Sequence, residues 1–211
     1  MSIKKPPLTI HEYEQIFRTI HGFLLSKNAD ASKSCLFFSI VGSVLLKQYH
    51  AMDKAIAVIG TAEYNLRTPN NICHVFGKIE NRKLISTSTA FHSWVEVDGW
   101  IIDFSAPLFG DMVSEEQAGA KIPSFMFQKI DVPSLPDLTI PGVYFHNPDP
   151  ELSHRLKCAF VEVEQNMEHI TLCVKWYKPV PIEMPSLKQL SMATGTISEI
   201  KLSPRRVVGE W

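Results

Sequence analysis

The sequence lacks a marked excess of charge of either sign. Its 211 residues carry 21 Lys and Arg against 22 Asp and Glu, which leaves a formal net charge of −1. Proteins that bind nucleic acid or an anionic membrane electrostatically usually have a basic surface. We therefore predict no nucleic-acid partner.

Long hydrophobic runs are missing as well. The most apolar segment, LFFSIVGSVLL over residues 36–46, is well below the ~20 residues that a helix needs to cross a bilayer. The N-terminal MSIKKPPLTIHEYEQ has basic residues but no apolar stretch after them of the kind found in secretory signal peptides. We therefore predict a cytoplasmic protein with no membrane partner.

Cysteine is scarce, and its spacing is uninformative. The four residues, Cys35, Cys73, Cys158 and Cys173, form no CxxC pair and no dense framework of the kind found in disulfide-rich domains. Reduced thiols are the simplest interpretation. Repeats and low-complexity segments are also absent, and the length suits a single domain over residues 1–211.

Two helices are predicted at the N-terminus. Thr9 and Glu12 have the spacing of a capping box, and apolar residues then recur at helical intervals to about residue 25. A second helix is predicted from about 34 to 49, with Ser32 or Asp30 as its candidate N-cap. Its apolar residues cover nearly every face, which is typical of a central, buried helix.

Strand-like segments follow these helices. We predict strands at about 55–65, 72–79 and 83–87, a hairpin at 91–104, two helices within 152–177 that break near Gln165-Asn166, and strands within 196–211. Helices followed by an antiparallel sheet indicate an α+β fold rather than alternating βαβ units. We expect a core at 30–107 and a helical and loop elaboration at 108–211, with long ordered loops between residues 106 and 150.

The stretch FHSWVEVDGWIIDFSAP, residues 91–107, predicts a tight hairpin. Asp98-Gly99 lies between two runs of β-branched and aromatic residues, which is a strong signal for a two-residue turn. In the register that this turn imposes, Val95 faces Ile102 across the two strands.

Alternation of side chains then divides the hairpin into two faces. One face has Val95, Val97, Trp100, Ile102 and Phe104, and the other has His92, Trp94, Ile101, Asp103 and Ser105. His92 and Asp103 become diagonal neighbours, roughly 7–8 Å apart at the backbone, so the carboxylate can reach an imidazole N–H.

Cys35 lies in the first turn of the second predicted helix. Unpaired N–H groups and the helix dipole favour a thiolate at this position. If the sheet packs its His92 face against this helix end, His92 can take the thiol proton and Asp103 can orient the imidazole. Nucleophile, base and orienting carboxylate are the set that acyl transfer requires.

These motifs resemble the transglutaminase-like branch of the papain-like cysteine superfamily. A cysteine that opens a buried helix is followed by HSWVEV, where the family's His strand has H-x-W-V-E-V, and then by GWIIDF, where its Asp strand begins with Gly-Trp. The match covers residues 30–107. As a whole, the chain is most similar to a small bacterial family of this superfamily that is labelled as of unknown function.

The resemblance implies a fold, a site and a reaction class. The fold is a central helix, carrying the nucleophile, packed on an antiparallel sheet, and the site is Cys35 as nucleophile, His92 as base and Asp103 as orienting carboxylate. The reaction is acyl transfer through a thioester, on a peptide, amide or other acyl-bearing substrate and without a cofactor; the acceptor stays open. The backbone N–H of Cys35 is the first oxyanion candidate and the Asn28 side chain the second.

Alternatives remain for the same residues. The chain could be an inactive binding module with this fold, and the cysteine, histidine and aspartate are also zinc-ligand types, although no close-spaced ligand pairs are present. Trp94 could line the substrate cleft or belong to the core. Cys73 and His74 are adjacent in a strand, so their side chains point to opposite faces and cannot form a nucleophile–base pair.

Other residues are expected to have no part in the chemistry. Cys158 and Cys173 are expected in the core, His146 and His154 in or beside a loop and solvated, and Arg205-Arg206 at the surface.

Overall fold

The helices and strands follow the predicted order. The computed structural model describes residues 5–65, 73–112, 122, 124–130, 143–190 and 194–207. Its helices are α1 (Ile10–Ser26), α2 (Cys35–Tyr49), α3 (Pro150–Val161) and α4 (Glu164–Trp176), with 3₁₀ turns at Ala31–Lys33 and Ala106–Met112. Its strands are β1 (Ile56–Asn65), β2 (Cys73–Phe76), β3 (Lys78–Glu80), β4 (Lys83–Ile85), β5 (His92–Val97), β6 (Trp100–Ile102), β7 (Phe127–Lys129), β8 (Tyr144–Pro148), β9 (Leu187–Leu190) and β10 (Ile197–Ile200). The α+β class is confirmed.

The main sheet is antiparallel and is organised around β1. This long strand pairs with β2, β5 and β8, while β6 continues the sheet from β5 and β7 continues it from β6. β7 and β8 come from the segment between residues 106 and 150, where we expected long ordered loops. The later part of the chain therefore completes the sheet as well as covering it. Within the predicted loop region, residues 113–121, 123 and 131–142 lie outside the described residues.

The hairpin that carries the predicted site residues has the expected register. Asp98 and Gly99 both have positive φ, 47° and 81°, which is the backbone of a type I′ turn. Val95 pairs with Ile102 and Val97 with Trp100. The division of side chains into two faces is therefore as predicted.

Each face of the hairpin packs into a different apolar cluster. Val95, Val97, Ile102 and Phe104 join the larger core with residues of α1, α2 and α4, whereas Trp94 and Ile101 join a smaller cluster with Val58, Tyr64 and Phe109. Gly42 lets α2 approach the sheet, because a Cβ there would lie 2.4 Å from the Phe104 ring. The hydroxyls of Ser39 on α2 and Ser93 on β5 lie 2.5 Å apart across this interface.

The two N-terminal helices begin differently. The predicted capping box of α1 is confirmed, since Thr9 Oγ1 accepts from the Glu12 N–H and the Glu12 carboxylate accepts from the Thr9 N–H. The predicted cap of α2 is wrong. Asp30 accepts from the Ser32 N–H and caps the 3₁₀ turn, so that Ser34 becomes the N-cap of α2 and makes no side-chain capping bond. The α2 N-terminus, where Cys35 lies, therefore has no side-chain cap.

Two further boundaries differ from prediction. The predicted strand at 72–79 is split at Gly77, whose φ of 144° separates β2 from β3. The break between α3 and α4 lies at Glu162-Val163 rather than Gln165-Asn166, because Val163 is extended and the Asn166 side chain donates back to the Phe160 carbonyl. The C-terminal strand prediction holds for β10, while residues 208–211 lie outside the described part.

Among the described residues, no helix is both long enough and apolar enough to cross a bilayer.

Candidate active site

Cys35 is the first residue of α2, at the end of the helix that lies nearest the 3₁₀ turn Ala31–Lys33. Its side chain is half-buried, so the sulfur lies between the interior and the surface. The backbone N–H groups of the first helical turn carry the positive end of the helix dipole, and Ser34 supplies no side-chain acceptor for them. This position can stabilise a negative charge on sulfur.

His92 is the first residue of β5 and is fully buried, with 0% exposure. Its Nε2 lies 2.5 Å from Asp103 Oδ2. The ring stacks on Phe76 with centroids 4.2 Å apart, and Phe109 lies on another side at 5.7 Å. The aromatic rings exclude water and leave the imidazole little freedom to rotate.

Asp103 directly follows β6 and is as buried as His92. Its Oδ1 accepts hydrogen bonds from the N–H and the hydroxyl of Ser105, at 2.8 and 2.7 Å. Its backbone carbonyl accepts from the Tyr13 hydroxyl at 2.5 Å. The carboxylate is thus held in one orientation, with Oδ2 directed at His92.

The electrostatics of this pair favour two opposite charges. Burial by itself lowers the pKa of His92, but the charge and hydrogen bond of Asp103, together with a smaller effect of Cys35, raise it to about 10. Burial raises the pKa of Asp103. The positive charge of His92, with the hydrogen bonds from His92 and Ser105, outweighs this and brings the pKa below its usual value. At neutral pH the pair is an imidazolium and a carboxylate.

The second ring nitrogen of His92, Nδ1, is not the one that faces Asp103. Among the described residues, Nδ1 has no partner that meets the distance and angle of a hydrogen bond, although the atom is buried. The Cys35 side chain nevertheless lies close enough to raise the pKa of the imidazole. The structure therefore brings all three predicted residues together, with Asp103 at one nitrogen of the ring and Cys35 acting on the ring as a further neighbour.

Two residues that the sequence did not assign to the site belong to the same cluster. The Tyr64 hydroxyl on β1 lies 2.8 Å from His146 Nε2 on β8 and 3.5 Å from Asp103 Oδ2. The prediction that His146 is a solvated loop residue is wrong, because β8 pairs with β1 and turns the ring against Trp94, with centroids 4.7 Å apart. His146 lies in a part of the sequence without a strong strand pattern, so no local signal indicated its place in the sheet.

The two secondary candidates occupy structural positions. Asn28 follows the C-cap of α1 with φ 54°, and its N–H and that of Ala29 bond to the carbonyls of Leu25 and Leu24, which is a Schellman motif. Its oxyanion role stays a prediction. Trp94 is fully buried, and its Nε1 donates to Glu96 at 3.0 Å. Of the two alternatives for Trp94, the structure favours the core.

The remaining candidates lie apart from this cluster. Cys173 is in the core as predicted, whereas Cys158 is half-buried beside His154 on α3. Arg205 and Arg206 form ion pairs with Asp111 and Glu14. Across the described ranges, no group of three or more His, Cys, Asp or Glu side chains has an arrangement that could hold a metal ion.

Comparison with known proteins places the chain in a family. Residues 9–211 match the family DUF2026, described as a protein of unknown function, and because the match spans nearly the whole chain, the chain belongs to that family. The crystal structure described as genomics APC5867 is similar, with a TM-score of 0.82, 25% sequence identity and 100% of each chain covered. Functionally curated proteins include no match. These relatives share a fold with the chain and specify no reaction.

Proposed function

We propose that this DUF2026 protein is a cysteine-dependent acyl-transfer enzyme. Cys35 is the nucleophile, His92 the general acid and base, and Asp103 the residue that orients His92. The substrate is a peptide, an amide or another acyl-bearing molecule, and the reaction passes through a thioester. A core of the papain-like, transglutaminase-like kind is part of this proposal.

A single observation carries the proposal: His92 is a buried imidazole with a carboxylate at Nε2 and a cysteine near the ring, while Nδ1 has no hydrogen-bond partner among the residues that the structure describes. A buried ring nitrogen without a hydrogen bond is uncommon in a residue that serves only packing. Contacts between nucleophile and base are often long before a substrate is bound. The geometry thus suits an imidazolium that can exchange a proton with the Cys35 sulfur.

The chemistry follows from these positions. A Cys35 thiolate attacks the substrate carbonyl carbon, a C–S bond forms, and the carbonyl oxygen becomes an oxyanion beside the α2 N-terminus. When the tetrahedral intermediate collapses, His92 gives a proton to the leaving amine and the bond from carbon to nitrogen breaks. Water or an amine then gives a proton to His92, attacks the thioester, and displaces Cys35 as a thiolate.

Two further points support this assignment over a purely structural one. The sequence resemblance to the transglutaminase-like branch names the same three residues, and it depends on no information about their spatial proximity. The fold has the expected arrangement of a cysteine-bearing helix packed against β1 and β5 of an antiparallel sheet. Local motif and tertiary position therefore agree.

The decisive experiment is the pH dependence of Cys35 alkylation by iodoacetamide, followed by peptide mass spectrometry, in wild type and in His92→Gln. An ordinary cysteine titrates near pH 8.5. We expect fast labelling of Cys35 in the wild type down to about pH 6 and a fall of at least about 100-fold at that pH in the variant. Glutamine keeps an N–H that can donate to Asp103, so the fold should survive.

Cys73 provides an internal control in the same samples. It is half-buried, and burial and the nearby Glu63 raise its pKa, so it should label slowly at acid pH in both proteins. Loss of covalent trapping by acyl-type probes in Cys35→Ala, with trapping retained in Cys158→Ala, would extend the result to catalysis. An ordinary pH profile for Cys35 in both proteins would refute the enzyme assignment and favour a binding module.

A further inference from the structure

The polar cluster continues beyond Asp103 to a second histidine. The Tyr64 hydroxyl is 3.5 Å from Asp103 Oδ2, the same oxygen that faces His92, and 2.8 Å from His146 Nε2. Tyr64 is 1% exposed, and His146 Nδ1 is buried without a hydrogen-bond partner in the described part of the chain. Asp103 is thus linked, through one hydroxyl, to a ring that the proposed reaction does not use.

The protons between Asp103, Tyr64 and His146 can be placed in two ways. If the Tyr64 hydroxyl donated to His146 Nε2, its oxygen would face the Asp103 carboxylate without a proton between them, and the ring proton would lie on the unpartnered Nδ1. If Nε2–H donates to Tyr64 instead, the hydroxyl proton points at the carboxylate and only a lone pair on Nδ1 is unpaired. The second arrangement is favoured, because an ionised acceptor makes the stronger bond and a buried N–H without an acceptor is the rarer defect.

The state of His146 agrees with this placement. Burial and the positive charge of His92 lower its pKa to about 3, against an opposing effect of Asp103. The ring is therefore neutral and has a single N–H to donate. Burial, the negative charge of Asp103 and the hydrogen bond to it raise the pKa of Tyr64 well above its usual value, with a smaller effect of Cys35, so the hydroxyl keeps its proton.

We propose that Tyr64 and His146 are positioning residues for the Asp103 carboxylate: His146, as the Nε2–H tautomer, donates to Tyr64, and Tyr64 donates to Asp103. The catalytic role of this relay rests on the acyl transfer proposed above, whereas its hydrogen bonds do not depend on that reaction.

The relay matters most when His92 is neutral. While His92 is protonated, the buried carboxylate has a cation beside it. Once Nδ1 has given its proton to the leaving group, that cation is lost and the carboxylate would otherwise attract the Nε2 proton. Donation from Tyr64 and from Ser105 lowers the basicity of the carboxylate, so Nε2–H stays on the ring and Nδ1 stays free to accept the next proton.

Every titratable neighbour of this cluster has to be considered in a pH experiment. Those facing Asp103 or its partners are Tyr13 on α1, Cys35 on α2, Tyr64 on β1, His74 on β2, His92 on β5 and His146 on β8. The tyrosines stay protonated in the acid range, and His92 stays charged there. The titrations of the histidines and of the carboxylate can be followed separately, because the imidazoles are observed by ¹⁵N NMR and the carboxyl carbon by ¹³C NMR.

The first test follows the carboxyl carbon of Asp103 by ¹³C NMR, assigned with Asp103→Asn, in wild type and in variants of the relay. We expect the apparent pKa of Asp103 to rise by about one unit in Tyr64→Phe, as expected for the loss of one hydrogen bond to the charged form. His146→Leu should raise it by less, and His146→Gln, which keeps an N–H donor, should restore the wild-type value. Tyr144→Phe is the matched control, because that hydroxyl donates to the Lys129 carbonyl.

The second test is the tautomer of His146 in ¹⁵N-histidine-labelled wild type, read from long-range ¹⁵N–¹H correlations. An Nε2–H tautomer at neutral pH supports the relay, and an Nδ1–H tautomer or an unchanged Asp103 titration in Tyr64→Phe overturns it. Neither measurement depends on the reactivity of Cys35. A relay that passes both tests beside an unreactive Cys35 would refute the proposed enzyme and leave the hydrogen bonds established.

Discussion

Both faces of the β5–β6 hairpin are buried, yet they are buried in different ways. The face with Val95, Ile102 and Phe104 packs on α2 through apolar contacts, and its polar exception, Ser93, bonds to Ser39 and to the Val58 carbonyl. The opposite face places His92 and Asp103, both with 0% exposure, among aromatic rings. One strand pair thus supports an ordinary core on one side and a buried charge pair on the other.

The difference shows what each kind of burial depends on. Apolar packing depends on shape and volume and is insensitive to pH over the range in which the fold is stable. The charge pair depends on each partner, because a buried charge that loses its counter-charge costs several kcal/mol. The charged face is therefore where single substitutions and pH should act together.

The largest expected effect is that of His92→Ala. Removal of the imidazolium leaves the Asp103 carboxylate buried without a cation, which should cost about 3–5 kcal/mol of the free energy of unfolding at neutral pH. The loss should shrink at acid pH, because the unpaired carboxylate then takes up a proton. Urea unfolding at two pH values measures both quantities.

Ile102→Ala is the control on the apolar face. Ile102 is fully buried, and the substitution should cost about 2–5 kcal/mol through lost contacts and a cavity. Equal losses at both pH values are expected there. A pH-independent loss in His92→Ala would show that the two faces do not differ in the way described.

The next largest effect is the pH dependence of wild-type stability. Because the pKa of His92 is raised from 6.5 to about 10 in the folded state, its stabilising contribution is complete below pH 6.5 and is lost as the pH rises through about 10. Stability relative to His92→Gln should therefore fall by up to about 3 kcal/mol between pH 6.5 and 9. Chemical denaturation across this range is the measurement.

Five of the other histidines do not interfere in that window. Burial lowers the pKa values of His21, His50, His74, His146 and His169, so these rings are mainly uncharged above pH 6.5 in both the folded and the unfolded state. Because the pKa of Asp103 is lowered from 3.8 in the folded state, its contribution to stability is present above pH 3.8. That contribution is lost as the pH falls through the folded-state pKa. A flat difference between wild type and His92→Gln would mean that His92 is not held as a cation.

The smallest effect is expected from Ser39→Ala at the apolar interface. Ser93 keeps its bond to the Val58 carbonyl when the Ser39 hydroxyl is removed, so the loss should be about 1 kcal/mol. No dependence on pH is expected, because neither hydroxyl titrates in the accessible range. A loss above about 3 kcal/mol would instead show that this contact positions α2, and Cys35 with it.

Local sequence was sufficient for the parts of the site that depend on short-range geometry. Asp98-Gly99 determined the turn, the turn determined the register, and the register put His92 and Asp103 on one face. The capping box of α1 and a start of α2 at about residue 34 were predicted in the same way. In each case the deciding interaction joins residues close together in the chain.

Local sequence failed at the start of α2 and again where a distant segment supplies the environment. Ser32 or Asp30 was expected to cap α2, but the Asp30 carboxylate accepts from the Ser32 N–H and caps the intervening 3₁₀ turn. His146 was expected in solvent, but pairing of β8 with β1 brings it to Tyr64 across 82 positions of sequence. That pairing has no signature in the few residues around His146.

The amino-acid sequence by itself determined the α+β class, the hairpin register and the three candidate residues, because turn chemistry and side-chain alternation are local properties of the chain. Only the tertiary structure decided that His92 and Asp103 are buried, that Cys35 lies near the imidazole, and that Tyr64 and His146 extend the cluster. Burial and charge pairing arise from contacts between elements far apart in sequence. The same contacts set the opposite pKa shifts of His92 and His146.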